Sequence, residues 1–277
     1  MSKFHLEGCS ALITGASAGI GREFARQLAG CAGLLILVAR RRERLEGLRD
    51  ELTKRHPNLN VHVRGTDLSD DRSVMELCNW LEHEKLSIDL LINNAGLGDA
   101  GPFATSELQR VQEMLAVNIT ALTLLTRLLL PGMITRRRGA ILNVSSSAGF
   151  LPIAGFAVYA ATKAYVTSFS EAIRAELRNT GVTVTSVCPG PVRTEFTAVA
   201  NRRAATREKS SPEFTHVSVE GVVRTALDAV AADKALVIPG FIMKLGMLLV
   251  RLTPMPLLRL ASRSSMWRRL RQAPLIH

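Results

Sequence analysis

Gly33-Leu-Leu-Ile-Leu-Val-Ala39 runs for seven residues without a polar side chain. A run this short reads as a strand, and one without alternation is buried on both faces. It needs helices above and below it, which a parallel sheet with crossover helices supplies. The rest of the chain offers the parts. Residues 10–14 form a second apolar run, residues 60–64 alternate, and residues 88–92, 139–144, 182–187 and 235–238 read as further strands. Helical patterns over 20–28, 43–54, 70–84, 107–134, 158–178 and 220–232 separate them. The expected class is α/β, a doubly wound parallel sheet of about seven strands with helices on both faces. Ligands of such sheets lie along the carboxyl ends of the strands.

Several of those ends carry polar or special residues. The first run leads into Gly15-Ala-Ser-Ala-Gly19-Ile-Gly21 and then a helix. Glycines let backbone N–H groups approach a pyrophosphate, and the helix N-terminus adds positive potential. The spacing is G-x3-G-x-G, and a tight strand-to-helix turn would use glycines too. The second strand ends in Arg40-Arg41-Arg42, where an acid would hold a ribose 2′-hydroxyl and an arginine accommodates a 2′-phosphate. No acid stands there, and arginine is poorly placed at a helix start. NADP(H) is therefore expected over NAD(H). Asn93-Asn-Ala-Gly96 follows the fourth strand and suits a ligand crevice or a turn. Asn118 sits mid-helix and reads locally as part of a solvated face. Its helix is expected to continue unbroken to Pro131. Residues 196–217 are polar and without period, resembling a mobile flap over a site.

Tyr159 and Lys163 fall on one face of a helix, one turn apart. A phenol is a poor acid-base group at neutral pH, and a nearby ammonium favours its ionised form. A serine from the triplet Ser145-Ser146-Ser147 at the fifth strand's end could hydrogen-bond the oxygen that exchanges the proton. Strand alternation puts Ser146 on the opposite side from Ser145 and Ser147.

Together, Thr14-Gly-Ala-Ser-Ala-Gly-Ile-Gly21, Asp67, Asn93-Asn-Ala-Gly96, Asn118, Ser146, Tyr159-x-x-x-Lys163 and Pro189-Gly190 with Thr194 resemble the short-chain dehydrogenase/reductase family. The match is in family order over residues 7–240. The resemblance implies a Rossmann-type fold and an NADP(H)-dependent oxidoreductase acting on CH–OH groups. It implies Tyr159 as general acid/base, Lys163 lowering its pKa and holding the nicotinamide ribose, Ser146 orienting the carbonyl, and Asn118 holding a water of a proton relay. Cofactor contacts are expected from Gly15, Ser17, Gly19, Ile20, Gly21, Arg40, Arg41, Asp67, Leu68, Asn94, Ala95, Gly96, Tyr159, Lys163, Pro189, Gly190, Val192 and Thr194. Arg40 is expected to take the 2′-phosphate with Arg41 close by. The alternative is a non-catalytic NADP(H)-binding regulatory or membrane-associated scaffold, which would have no chemical need of Ser146, Tyr159 and Lys163 together.

Lysine and arginine number 35 against 24 acids, a net charge of +11. The excess points to anionic partners. Eight of the basic residues stand in residues 234–277, which contain no Asp or Glu. That segment is also apolar, and Lys244 and Arg251 share one side of a helix ended by Pro254 and Pro256. Residues 1–240 are expected to form the dehydrogenase domain. Residues 241–277 form an extension packed on the substrate side, a partner or a membrane surface. Nucleic acid is not expected, since the extension holds only Phe241 and Trp267 as aromatics and no reading motif. The substrate is expected to be a small hydrophobic carbonyl or alcohol, and the assembly a homo-dimer or tetramer. Residues 1–9 lack an apolar core, so no signal peptide is expected. Four separated cysteines read as reduced, buried thiols, and six histidines without ligand spacing suggest no metal. The expected location is the cytoplasm, peripheral to a membrane where the extension docks.

Overall fold

The apolar runs become strands, in a computed structural model that describes residues 4–200, 217–254, 256 and 257. The first half runs β1 (Ser10–Thr14), α1 (Gly19–Leu28), β2 (Leu34–Ala39), α2 (Arg42–Arg55), β3 (Asn60–Gly65), α3 (Asp71–His83) and β4 (Leu90–Asn93). Then come α4 (Leu108–Leu115), a π-helical segment (Ala116–Ala121), α5 (Leu122–Thr135), β5 (Gly139–Val144), α6 (Ala157–Glu176) and β6 (Val182–Val187). The remainder is α7 (Glu195–Ala200), α8 (Val219–Ala231), β7 (Leu236–Val237) and α9 (Phe241–Leu252). All seven strands are parallel, in the order β3-β2-β1-β4-β5-β6-β7.

β2 shows why the sheet needs cover on both sides. Leu35 and Leu37 point into a core shared with Phe24 and Leu28 of α1, Leu45 and Leu52 of α2, and Val223 and Val230 of α8. Ile36 and Val38 point the other way, onto Val74 and Leu77 of α3, Leu125 and Met133 of α5, and Ile173 of α6. Each fully enclosed leucine or isoleucine here contributes about 2 kcal/mol by leaving water. Caps set the helix starts. Asp70 accepts from the N–H groups of Arg72 and Ser73 to begin α3, and Ser218 accepts from Gly221 to begin α8.

Several expectations need correction. The helix around residues 107–134 is not uniform, because six residues in its middle are π-helical, and it runs through Pro131 to Thr135. Proline only forfeits one backbone bond there, on an exposed side of the helix. The seventh strand shrinks to two residues. Cys9, Cys78 and Cys188 are buried thiols, but Cys31 is only half-buried. The flap expected over 196–217 begins as α7, and residues 201–216 lie outside the described residues, as do Trp267 and the arginines from Arg259 onward.

The turn before α1 and the middle of α2 make opposite demands on glycine. A Cβ on Gly21 would lie 2.3 Å from the Gly15 carbonyl oxygen, whereas one on Gly47 would meet nothing within 4 Å. Gly21→Ala should therefore lower stability by about 2 kcal/mol through forced backbone displacement. Gly47→Ala should raise it by about 0.5–1 kcal/mol through helix propensity. Urea unfolding of the two variants checks both signs; equal stability of the pair would refute the packing argument.

Candidate active site

The strand order reverses between β1 and β4, and the glycine turn lies at that reversal. The Thr14 hydroxyl accepts from the N–H groups of Asn94 (2.9 Å) and Ala95 (3.0 Å) and donates to the Ile92 carbonyl (3.2 Å). The Asn94 side-chain amide donates to the Thr14 carbonyl at 2.8 Å. Gly15 has φ +68°, and a Cβ there would stand 2.8 Å from Asn94 Nδ2; one on Gly21 would stand 2.4 Å from the same atom. Asn94 is thus a brace between two strand ends. Ala18 caps α1 without a side-chain acceptor, leaving the first-turn N–H groups for an external one. A turn so bare of side chains, with donors facing outward, fits a dinucleotide pyrophosphate. Thr194 packs against Gly19, where a Cβ would be 3.2 Å from Thr194 Cγ2, so the loop after β6 arches over the turn. Ile20 and Val192 are half-buried beside it.

The arginines sort themselves differently from expectation. Arg41 Nη2 donates to Ser17 Oγ at 3.2 Å, and Arg41 Nη1 pairs with Glu195 at 3.1 Å. Arg44 pairs with the same carboxylate at 2.9 Å, and together the two arginines hold its pKa below the usual range, Arg44 first. Arg42 turns away to Glu46. Arg40, expected to be the leading phosphate ligand, is exposed and joins none of these contacts among the described residues. A cavity of about 410 Å³ beside the pair is lined by Ser17, Arg22, Arg44, Leu48, Glu51 and Glu195. Asp67 accepts from the N–H and hydroxyl of Ser69, and the Leu68 side chain is in the core. Arg44 and Glu195 were missed in the sequence. Arg44, in the first turn of α2, lies three residues beyond Arg41, which caps that helix, and both reach one carboxylate; Glu195 carries no local signal.

At the ends of β5 and β4 the proton-handling groups meet. Lys163 is only 4% exposed, and its ammonium donates to the Val144 carbonyl at 2.8 Å. Its Nζ lies 5.8 Å from the centre of the Tyr159 ring. Burial lowers its pKa to about 8. Burial raises that of Tyr159, and a hydrogen bond with Ser146 opposes the rise. The expectation that the lysine would depress the phenol is not met in this structure: burial, which disfavours the phenolate, is the largest influence. Ser146 also accepts from the Ala148 N–H at 3.1 Å. Ser145 faces away, as alternation requires, donating to the Lys163 carbonyl at 2.8 Å. Ser147 begins a helical turn, its N–H donating to the Pro189 carbonyl, and Gly190 lies against Met243 of α9.

Asn118 overturns its local reading. It is 1% exposed and lies within the π-helical segment. Its Oδ1 accepts from Leu97 N–H (2.8 Å), and its Nδ2 donates to the Leu97 carbonyl (2.9 Å) and to Thr162 Oγ1 (3.0 Å). Gly96 lies between, where a Cβ would be 3.4 Å from Lys163 Nζ and 3.5 Å from Asn118 Oδ1. The rings of Phe156 and Phe196 stand 6.2 Å and 5.4 Å from that of Tyr159. The glycine turn is linked to this group by two short segments, Asn94 to Leu97 on one side and Thr194 to Phe196 on the other.

A family model described as short chain dehydrogenase matches residues 10–205. The chain is 40% identical over 190 residues to an NADP-dependent 3-hydroxy acid dehydrogenase of Salmonella typhi, spanning 68% of this chain and 75% of that protein. Its fold superposes with a TM-score of 0.76 on a short-chain dehydrogenase from Sphingobium yanoikuyae in complex with NADPH, 29% identical, over 97% of this chain and 98% of the other. The bulky-bulky ketone specific alcohol dehydrogenase from Comamonas testosteroni superposes with a TM-score of 0.72, 28% identical, over 97% of each chain.

The buried ammonium has a measurable consequence. Because burial favours its neutral form, Lys163 should lose its proton as pH rises through about 8, while lysines in water keep theirs to about 10.4. Carbon-13 NMR of labelled lysines, with Lys163→Gln for assignment, should show one resonance titrating early. A Lys163 resonance that titrates with the rest would refute the burial argument.

Proposed function

The chain belongs to the short-chain dehydrogenase/reductase family, and on that premise we propose that Tyr159, Ser146 and Lys163 carry the proton chemistry of its NADP(H)-dependent oxidoreductase reaction. Hydride passes between the nicotinamide and a carbonyl or alcohol carbon when the cofactor is bound. The chain's own residues handle the oxygen. The observation that carries this assignment is the buried phenol of Tyr159, whose pKa the Ser146 hydroxyl lowers against burial, with the Lys163 ammonium 5.8 Å from the centre of its ring.

In the reducing direction Tyr159 Oη donates a proton to the oxygen that becomes the alcohol. Burial keeps the phenol protonated at neutral pH, so the acid is loaded before substrate arrives. The phenolate left behind is the form that burial disfavours. Lys163, held by the Val144 carbonyl, supplies the compensating positive charge, and the Ser146 hydroxyl supplies a donor. In oxidation the same groups run in reverse, with the tyrosine accepting the proton. Asn118 ties the loop after β4 to α6, which fixes the distance between Gly96 and Lys163. It acts as a positioning residue. For the cofactor, the glycine turn suits the pyrophosphate, and Arg41 with Ser17 suits the 2′-phosphate. A scaffold without turnover would have no use for a lysine charge buried beside a phenol, since that burial costs stability.

The substrate class we favour is a hydrophobic carbonyl or secondary alcohol. Phe156 and Phe196 flank the phenol, and Phe150 and Met243 line the approach from the α9 side. A homo-oligomer is supported by Leu108 and Leu115 of α4 and Tyr165 of α6, large apolar side chains left exposed.

A specific observation also favours membrane-surface contact by a cytoplasmic enzyme. On α9, Met243, Met247 and Val250 turn inward, whereas Phe241 (81% exposed), Ile242, Leu245, Leu248, Leu249 and Leu252 (72%) form an outward stripe edged by Lys244 and Arg251. With no acid in residues 234–277, a second copy seated on this stripe would bring like charges together, while an anionic lipid surface would not.

Tyr159→Phe should reduce kcat about 10²- to 10⁴-fold and leave NADPH binding, followed by cofactor fluorescence, within a small factor of the parent. Turnover near the parent's would refute the tyrosine's role. A panel of aldehydes, bulky ketones, 3-oxoacyl compounds and hydroxy acids with NADPH and NADH tests cofactor and substrate class together. For the α9 stripe, the full chain should float with vesicles containing anionic lipid, and Leu245→Glu with Leu249→Glu should abolish flotation without loss of turnover. Equal flotation of the variant would end that idea.

A further inference from the structure

We infer that Glu195 competes with the cofactor's 2′-phosphate for Arg41 and Arg44, and thereby couples cofactor choice to the position of Phe196 over Tyr159. The inference rests on the NADP(H) reading of this crevice. One carboxylate engages two guanidinium groups, Arg41 at 3.1 Å and Arg44 at 2.9 Å, and Arg41 reaches on to the Ser17 hydroxyl of the glycine turn at 3.2 Å. Two guanidinium groups and a hydroxyl are the donor set that a phosphate oxygen cluster takes. Glu195 thus sits where an anion is wanted and supplies one from the chain itself.

The carboxylate and a phosphate dianion cannot both occupy that pair at close range without strong repulsion. The ion pairs are about half exposed, with side-chain accessibilities of 46% and 48% for the arginines and 50% for the glutamate. Such pairs are weak, so a dianion with two arginines to meet can displace them. The adjoining cavity, lined by Ser17, Arg22, Arg44, Glu51 and Glu195, provides the space, and its second carboxylate, Glu51, is already paired with Arg26 at 2.9 Å. A cofactor with only a hydroxyl at that position would leave Glu195 where it is.

The displacement reaches the reacting end of the site through one peptide bond. Glu195 opens α7, and the next residue, Phe196, packs 5.4 Å from the Tyr159 ring and fills the space against Gly98, where a Cβ would be 2.6 Å from its tip. Thr194, on the other side of Glu195, rests on Gly19. Releasing the carboxylate therefore frees a short segment clamped at the glycine turn on one side and at the phenol on the other. Its opening makes room for a carbonyl beside Tyr159 when the 2′-phosphate is in place.

Glu195→Gln keeps the shape and removes the charge. Purified full-length protein should bind NADPH about fivefold more tightly than the parent, the gain from deleting one weak competing pair, and NADH with unchanged affinity. Carbonyl KM values measured with the two cofactors should differ in the parent and converge in the variant. An unchanged or weakened NADPH affinity in Glu195→Gln, in a parent that prefers NADPH, overturns the competition and leaves the NADP(H) reading standing. A parent that binds both cofactors equally overturns that reading and this inference together.

Discussion

At Gly21 there is no room for a methyl group, and the rest of the site inherits its geometry from that fact. The first turn of α1 presses on the Gly15 carbonyl and on the Asn94 amide, closer than any side chain allows. Asn94 in turn holds the Thr14 carbonyl, and the Thr14 hydroxyl gathers two N–H groups from the start of the loop after β4. The reversal of strand order opens a crevice here, and these bonds stop it from spreading. From the same loop, Leu97 engages Asn118 through both its N–H and its carbonyl. The turn that suits a pyrophosphate is thus bonded to the loop beside Lys163, in which only Ala95 and Gly96 separate Asn94 from Leu97.

The electrostatics of the proton-handling end follow from exclusion of water. Burial pushes the phenol up and the ammonium down, so both groups are driven toward their neutral forms. A phenol that keeps its proton is a ready acid, and an amine near 8 keeps most of its charge at neutral pH. One carbonyl contact at 2.8 Å is thin support for a buried ammonium, which satisfies only one of its three donors by that bond. Gly96 stands beside that ammonium, where a Cβ would lie 3.4 Å from Nζ. Structural burial and chemical use are the same feature seen from two sides.

Periodicity and turn chemistry made the sheet legible. β1, β5 and β6 fall on their expected residues because β1 and β5 are mostly apolar runs and β6 alternates valine with hydroxyl residues, each bounded by glycine, proline or serine, where pattern and propensity agree. Ser146 is singled out by the family spacing of thirteen residues before Tyr159, with alternation in support, and Ser145 does turn into the helix behind it. Asn118 was not legible locally. A mid-helix asparagine looks solvated until the π-helical turn swings it under the loop after β4, and that turn answers to tertiary contacts, not to propensity. β7 pairs with β6 at only two positions, whereas the other edge, β3, pairs with β2 at six. Arg40 is the phosphate ligand that the resemblance implies; the contacts to Ser17 and Glu195 are made by Arg41 and Arg44.

The pairing of Arg41 and Arg44 with Glu195 answers the dipole at the start of α2. Arginines at a helix N-terminus face its positive end and repel one another, so they persist only if an anion is nearby. Within the chain that anion is Glu195, drawn from a segment more than a hundred and fifty positions away in number but adjacent across the crevice. An arginine cluster built solely for stability would need a buried or rigid acid, and Glu195 is neither, being half exposed at the head of a six-residue helix. A site meant to receive a more highly charged guest has the opposite requirement: a resident counter-ion strong enough to keep the arginines in register and weak enough to leave. The exposed, shared carboxylate satisfies both conditions, which is why the arginines here are better understood as a seat than as a strut.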